Sequence, residues 1–182
     1  YCRENLLERL SADRLGLTLA GSDYFLLEFP PDILIPGTDE LIRRVVRQGL
    51  VPIIVHPERN SQVQLDPSQL LPFLEAGALI QVTAGSLEGR LGGGALECAR
   101  VLLSRNMVHL IASDCHDCDS RPPGLDGLTA QRLLEPQRAE LLLHRLPKAL
   151  LDNQAPPDIG PVLDREPFAF RGVLDWILRR TR

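Results

Sequence analysis

Four short apolar runs, each with a polar or charged residue at or near its end, constrain this chain more than any other feature of its sequence. They cover residues 23–30, 50–56, 78–83 and 108–113, and helical patterns separate them. Apolar runs of this length are typical of strands buried on both faces. Strict alternation of such strands with crossovers long enough to hold a helix predicts an α/β fold with a parallel sheet, or part of a barrel.

The segments around these runs show helical periodicity. The predicted helices cover residues 4–15, 39–49, 66–75, 95–105 and about 127–151. Gly49 and Gly77 are suited to ending two of them, and Asp66 followed by Pro67 is suited to beginning a third. Residues 84–89 are rich in small residues and are predicted to form a loop whose backbone amides could approach an anion.

Length and composition favour one domain over residues 1–155, followed by a linker and an amphipathic tail over residues 156–182. The linker is rich in Pro and Asp, and the tail is favoured to be a solvated segment rather than a lipid- or kinase-binding one. No run of about 18 apolar residues is present, and the first residues do not resemble a signal peptide. Because the chain begins at Tyr1 rather than Met, we expect an N-terminal part with further strands to be missing.

Charge and cysteine content narrow the class of protein further. A net charge of -4 gives no electrostatic case for nucleic acid. The four cysteines are Cys2, Cys98, Cys115 and Cys118, and they are widely spaced apart from the last pair. This pattern predicts reduced thiols in a cytoplasmic protein. Cys115 and Cys118 could form half a zinc site or a redox pair, but the chain has no second such pair, so this interpretation is disfavoured.

Potential metal ligands follow three of the four predicted strands. Glu28 ends the first strand, His56 ends the second, and Asp114 and His116 follow the fourth. If the strands are parallel neighbours, these groups can converge on one rim of the sheet. A mixture of imidazole and carboxylate suits Mn, Fe or Zn better than Ca or Mg. The alternative for the last pair is a solvated turn.

Two arginines suggest that an anion binds beside these groups. Arg59 and Arg121 come a few residues after His56 and His116, and planar guanidinium groups bind phosphate in a bidentate manner. The two arginines therefore favour phosphoester hydrolysis as the reaction, in which paired metal ions can activate water. The alternatives are that Arg59 pairs with Glu58 or Asp66, and that Arg121 only covers a loop.

The other two histidines are assigned structural positions. His109, inside the fourth apolar run, is favoured as a core or barrel-lining residue, and His144 is favoured as a surface residue.

Four motifs in order resemble the bacterial capsule and exopolysaccharide tyrosine phosphatases of the polymerase-and-histidinol-phosphatase (PHP) superfamily. They are residues 27–30, 56–60, 81–87, and 111–116 followed by 121–123. The resemblance implies a distorted TIM-like barrel and a cluster of up to three metal ions, usually Mn²⁺. It also implies dephosphorylation of phosphotyrosine on the tyrosine kinase that controls polysaccharide export, and an oligomer is compatible with it.

The resemblance also implies roles for particular residues. The metal ligands would be Glu28, His56, Asp114 and His116. Arg59 and Arg121 would be the catalytic, phosphate-holding residues, and Ser86 with its neighbouring amides would line the phosphate pocket. Metal-activated water, rather than a cysteine, would be the nucleophile.

The resemblance further predicts what the chain lacks. The family begins with a His-x-His strand and supplies other ligands before the point where this chain starts. We therefore expect this fragment to bind metal weakly and to have low activity unless that part is restored. Two alternatives remain: another phosphoesterase of the superfamily, acting on histidinol phosphate or nucleotides, and an inactive remnant that only binds the kinase.

Overall fold

A four-stranded parallel sheet forms the centre of the chain. The computed structural model describes residues 5–118, 125 and 134–163, so Arg121 and the predicted helix in the tail lie outside the described residues. The strands are β1 (Tyr24–Leu27), β2 (Val51–Val55), β3 (Leu79–Thr83) and β4 (Leu110–Ala112), and they neighbour one another in chain order. Every pairing is parallel, which confirms the predicted α/β class.

Helices occupy the connections between the strands, as the alternation of patterns predicted. They are α1 (Leu6–Ala12), α2 (Arg14–Leu17), α3 (Thr38–Arg47), α4 (Ser61–Leu65), α5 (Leu71–Glu75), α6 (Ala84–Leu87), α7 (Gly93–Ser104), α8 (Pro136–Glu140) and α9 (Leu146–Leu151). Single 3₁₀ turns lie at Leu19–Gly21, Pro57–Arg59 and Pro67–Leu70. A π-helical segment, Leu141–Arg145, joins α8 to α9.

Local sequence explains where several of these elements end. Gly49 and Gly77 both have positive φ, at 77° and 100°, so each reverses the chain between a helix and the next strand as the sequence indicated. The side chain of Asp66 accepts a hydrogen bond from the amide of Ser68, as its position before Pro67 predicted. Pro147 lacks the amide that the carbonyl four residues earlier would require, which accounts for the wider π turn before it.

Three details differ from the sequence predictions. In place of the single helix predicted over residues 4–15, the structure has two short helices, Leu6–Ala12 and Arg14–Leu17, because Asp13 leaves the helical conformation and caps α2. The helix α4 was not predicted, and it begins because Asn60 accepts hydrogen bonds from the amides of Gln62 and Val63. Residues 84–87 form a buried helical turn rather than an open loop, and all four residues are buried.

The core lies where the helices cover the sheet. Its largest fully buried side chains include Ile54 in β2, Ile80 in β3, Leu102 in α7 and Ile111 in β4. Burying one such side chain contributes about 1.5–3 kcal/mol. Strand β3 is buried along its whole length, which fits a strand with a neighbour on each side.

The segment that follows α9 lies against the body of the fold. The Nδ2 group of Asn106 donates to the carbonyls of Ile159 and Pro161 at 2.6 and 3.1 Å, and the amide of Leu163 donates to the carbonyl of Arg105 at 2.8 Å. Residues up to 163 are therefore hydrogen-bonded to the domain. None of the helices in the described ranges is long and apolar enough to cross a membrane.

His109 predicts a pH-dependent contribution to stability. Burial lowers its pKa to about 4, and its Nδ1 accepts a hydrogen bond from the amide of Ile80 at 3.2 Å. The unfolded chain binds a proton near the ordinary pKa of about 6.5, whereas the folded chain does not until about pH 4. This histidine therefore costs no stability above pH 6.5, and it should lower the free energy of unfolding by about 3 kcal/mol as the pH falls to 4.

The measurement is urea unfolding at several pH values. His109→Asn keeps an acceptor near the Nδ1 position but cannot be protonated, so we expect it to reduce the loss of stability on acidification. The matched control is His144→Asn, because His144 is exposed, as predicted from its sequence context. Equal pH slopes for wild type and His109→Asn would contradict the assignment.

Candidate functional site

The carboxyl ends of the parallel strands meet at one edge of the sheet, and ionisable side chains follow three of them. Glu28 follows β1, His56 follows β2, and Asp114 and His116 lie beyond β4. Arg59 lies one turn beyond His56. All five line a single cleft of about 730 Å³, whose remaining wall is largely apolar.

Glu28 and His56 form the first pair in this cleft. Their Oε1 and Nε2 atoms are 3.4 Å apart, and the histidine side chain is the more buried of the two. Burial lowers the pKa of His56 and the Arg59 cation acts in the same direction, whereas Asp114 and Glu28 raise it. The net lowering favours neutral imidazole, which is the form that binds a metal ion.

Arg59 and Asp114 form the second pair. The Nη1 group of Arg59 donates to Oδ2 of Asp114 at 2.9 Å, across 55 residues of sequence. The aspartate side chain is 15% exposed and the arginine side chain is 33% exposed. The sequence alternatives in which Arg59 pairs with Glu58 or Asp66 are therefore wrong, because this guanidinium group contacts a carboxylate of the cleft.

His116 is the most exposed member of the group. Its Nδ1 atom lies 2.8 Å from the carbonyl oxygen of Asp114 and 3.9 Å from Oδ1 of the same residue. The contact within the Asp-x-His turn leaves the ring 57% exposed.

The backbone at two of these residues is strained. His56 has φ +39° and Asp114 has φ +55°, both in the left-handed region, although neither is glycine. Such a conformation costs about 1–2 kcal/mol per residue and persists only where the surroundings enforce it. At His56 the conformation is held by a hydrogen bond from its own amide to the carbonyl of Gln81 at 2.9 Å. Strain at these two strand ends is typical of a functional site.

Residues 56–60 form a compact turn in which each side chain has a separate place. His56 and Arg59 face the cleft, whereas Pro57 and Glu58 are buried. Asn60 caps α4 and donates through Nδ2 to the carbonyl of Pro30 at 2.8 Å. This last contact joins the turn to the segment just after Glu28.

Ser86 lies apart from the cleft. It is fully buried, and its hydroxyl donates to Oε1 of Glu58 at 2.7 Å. The amide of Thr83 donates to the same oxygen at 3.0 Å. Burial raises the pKa of Glu58 to about 7, and the hydrogen bonds from Ser86 and Thr83 lower it in part. The expectation that Ser86 lines a phosphate pocket is therefore not met, because its hydroxyl is committed to a buried carboxyl.

The fit of these residues to a metal ion depends on donor type and on position. The donors are neutral imidazole and carboxylate, a set that suits Mn, Fe or Zn. In residues 5–118, 125 and 134–163, no three His, Cys, Asp or Glu side chains lie together as a metal site. The candidate ligands therefore fit in chemistry and share one cleft, but their contacts join Glu28 to His56 and Asp114 to His116 rather than forming one converged cluster.

The parallel sheet and the groups at its carboxyl edge define a class: α/β proteins that place candidate metal- and anion-binding side chains at strand ends. Comparison with known sequences identifies the family. A family model described as "Capsular polysaccharide synthesis, CpsB/CapC" matches residues 1–152. The chain therefore belongs to the CpsB/CapC family, as its motifs indicated.

Individual relatives agree with this placement. The tyrosine-protein phosphatase YwqE of Bacillus subtilis is 36% identical over 115 residues, which are 63% of this chain and 45% of YwqE. The tyrosine-protein phosphatase CpsB of Streptococcus pneumoniae is 25% identical over 161 residues, which are 84% of this chain and 66% of CpsB. The chain spans about half the length of YwqE.

A solved structure supports the fold. It belongs to a report of YwqE and CpsB as unique metal-dependent tyrosine phosphatases, and it superposes with a TM-score of 0.79 at 29% identity. The match covers 90% of this chain and 67% of that one. The predicted relationship to PHP-type phosphatases is thereby confirmed.

Two residues that support the turn after β2 were not identified from the sequence. Neither Glu58 nor Asn60 was predicted to be a structural residue, yet one is fully buried and the other both caps a helix and bridges two loops. For Asn60 a signal was available, because Asn before a short apolar-containing run is a favoured N-cap. For Glu58 the local sequence carries no such signal, because its partners lie 25 and 28 residues away.

Proposed function

We propose that this chain forms the metal- and phosphate-binding part of a metal-dependent protein-tyrosine phosphatase of capsule and exopolysaccharide synthesis. The observation that carries the proposal is the contact between Arg59 and Asp114 in the cleft that also holds the Glu28–His56 pair. In this contact the guanidinium group that we propose to bind phosphate lies directly beside a candidate metal ligand. The phosphatase names of the relatives support the reaction class.

In this proposal each residue has a defined task. Glu28, His56, Asp114 and His116 would hold Mn²⁺, with up to three ions and with Fe or Zn as substitutes. The metal supplies Lewis-acid activation of water and neutralises charge on the phosphoryl group. Arg59, helped by Arg121, would bind and orient the phosphate oxygens. The neutral form of His56 keeps an imidazole lone pair available at the site.

The proposed substrate is phosphotyrosine on a protein, and the proposed partner is the tyrosine kinase of polysaccharide export. We propose a cytoplasmic location, which is supported by the free thiols of Cys98, Cys115 and Cys118.

The test is release of inorganic phosphate from a phosphotyrosine peptide, with and without Mn²⁺. It is run on this chain alone and on the chain joined to the upstream segment that the family resemblance predicts. We expect Mn²⁺-dependent release that EDTA abolishes, with the extended chain more active because it supplies further ligands. A higher kcat/KM for histidinol phosphate or a nucleoside monophosphate would overturn the tyrosine assignment. Kinase binding without any turnover would overturn the enzymatic assignment.

A second test distinguishes the metal-dependent mechanism from one in which a cysteine is the nucleophile. Cys115 and Arg121 are separated by five residues, which is the Cys-x5-Arg spacing of thiol phosphatases. Cys115 is exposed, is a free thiol and lines the cleft. The metal-dependent proposal predicts that Cys115→Ala keeps most of the Mn²⁺-dependent activity. Complete loss in Cys115→Ala, together with resistance to EDTA, would establish the thiol mechanism instead.

A further inference from the structure

Glu58 is a fully buried ionisable residue next to the cleft, and the tasks assigned to the cleft residues do not involve it. Its side chain has no exposed surface, although the residues on either side of the turn, His56 and Arg59, face the cleft. A buried carboxyl group is costly unless hydrogen bonds compensate it. The hydrogen bonds of Glu58 therefore decide what this carboxyl group contributes to the structure.

The contacts of Glu58 join two strand ends. Its Oε1 atom accepts from the amide of Thr83, the last residue of β3, and from the hydroxyl of Ser86 in α6. Its backbone carbonyl accepts from Nε2 of Gln64 at 2.8 Å. Hydrogen bonds to both the side chain and the backbone of this one residue therefore fix the turn that follows β2.

The geometry of the turn transmits this anchoring to Arg59. Pro57–Arg59 is a 3₁₀ turn, closed by a hydrogen bond from the amide of Arg59 to the carbonyl of His56 at 3.0 Å. With three residues per turn, successive side chains point about 120° apart. Fixing Glu58 toward the interior therefore directs Arg59 the other way, toward Asp114 in the cleft.

We propose that Glu58 is a positioning residue, which anchors the turn after β2 to the end of β3 so that Arg59 is held in the orientation that binds a phosphate group. The inference rests on the proposed function of Arg59. It goes further by assigning the support of that arginine to one buried side chain and its two donors.

Three variants distinguish loss of the positioning contact from a general loss of protein stability. Glu58→Ala removes the acceptor for Thr83 and Ser86, whereas Glu58→Gln keeps an acceptor in place of Oε1. The amide group of the glutamine replaces Oε2, an atom without a hydrogen-bond partner in the described part of the chain. Ile42→Ala is the stability control, because Ile42 is equally buried but lies in α3.

The first readout is the affinity for inorganic phosphate, measured by titration calorimetry. We expect Glu58→Ala to weaken it about tenfold or more, since small misplacements of an orienting group have large effects. Glu58→Gln should restore the affinity to within about threefold of wild type, because the same acceptor holds the turn. Ser86→Ala should weaken the affinity less than Glu58→Ala, because the amide of Thr83 remains as a donor.

The second readout is the ¹⁵Nε–¹Hε NMR signal of Arg59 without phosphate, which reports its orientation independently of the proposed function. We expect Glu58→Ala to shift it toward the position of an exposed arginine, and we expect Glu58→Gln and Ile42→Ala to leave it in place. An unchanged signal and unchanged phosphate affinity in a folded Glu58→Ala variant would overturn the positioning role. If Arg59→Ala leaves phosphate affinity unchanged, the proposed function of Arg59 fails, and the NMR signal of the wild-type arginine still tests whether Glu58 orients it.

Discussion

Replacing Arg59 is expected to change the affinities for phosphate and for Mn²⁺ in opposite directions. Arg59→Ala should weaken inorganic phosphate binding about 100-fold, since a charge-assisted contact of about 2–3 kcal/mol is lost. The same change removes the cation that pairs with Asp114 at 2.9 Å, so the carboxylate becomes a stronger metal ligand. Mn²⁺ affinity should therefore stay equal or rise. Titration calorimetry with each ligand in turn measures both effects.

Arg59→Lys and a distant arginine serve as controls for this result. Lysine keeps the charge but cannot form a bidentate contact, so we expect phosphate affinity between those of wild type and Arg59→Ala. Arg47 is largely exposed on α3 and pairs with Glu40 at 3.7 Å, so Arg47→Lys should change neither affinity. Parallel losses of phosphate and Mn²⁺ binding in Arg59→Ala would contradict the account, because they would indicate a general collapse of the cleft.

Replacing His56 or Asp114 is expected to have the largest effect on metal binding. Each side chain is about 15% exposed, and each lies at a strained strand end that faces the cleft. We expect His56→Ala and Asp114→Asn each to lower Mn²⁺ affinity by about 10- to 1,000-fold, which corresponds to about 1.4–4 kcal/mol for one lost ligand. The signal of free Mn²⁺ in electron paramagnetic resonance measures this affinity directly.

Variants of Glu28 and His109 serve as comparisons for the effects of His56→Ala and Asp114→Asn on Mn²⁺ affinity. Glu28→Gln should have a smaller effect than the other two changes, because the glutamate side chain is 47% exposed and better solvated. His109→Asn should have none, since His109 lies before β4 and lines a different pocket, at the opposite end of the strand from Asp114. Equal losses in the His56 and His109 variants would show that Mn²⁺ binds elsewhere.

The general architecture was predictable because it depends on local patterns. Apolar runs that end at Glu28, His56 and Asp114 indicate buried strands, and crossovers long enough to hold a helix favour parallel pairing. A parallel arrangement then places the strand ends at one edge, whatever the details of packing. The sheet and the shared cleft followed from these two facts.

The pairings within the cleft were not predictable in the same way, because they join distant parts of the chain. Arg59 has Glu58 next to it in sequence, yet it contacts Asp114, because the turn directs the glutamate inward. Ser86 looked suited to phosphate because it lies among small residues, but the buried carboxyl of Glu58 takes its hydroxyl. Local composition indicates which groups are present, whereas long-range packing decides which of them remain accessible.

The central claim is that the strand ends of this chain hold a metal ion beside a phosphate-binding arginine. The most direct measurement is anomalous diffraction at the manganese absorption edge, from crystals of the protein grown with Mn²⁺ and inorganic phosphate. The account predicts an anomalous peak in coordination contact with His56 and Asp114, with phosphate density against Arg59. A peak confined to other residues, or an ordered cleft without a peak at saturating Mn²⁺, would contradict it.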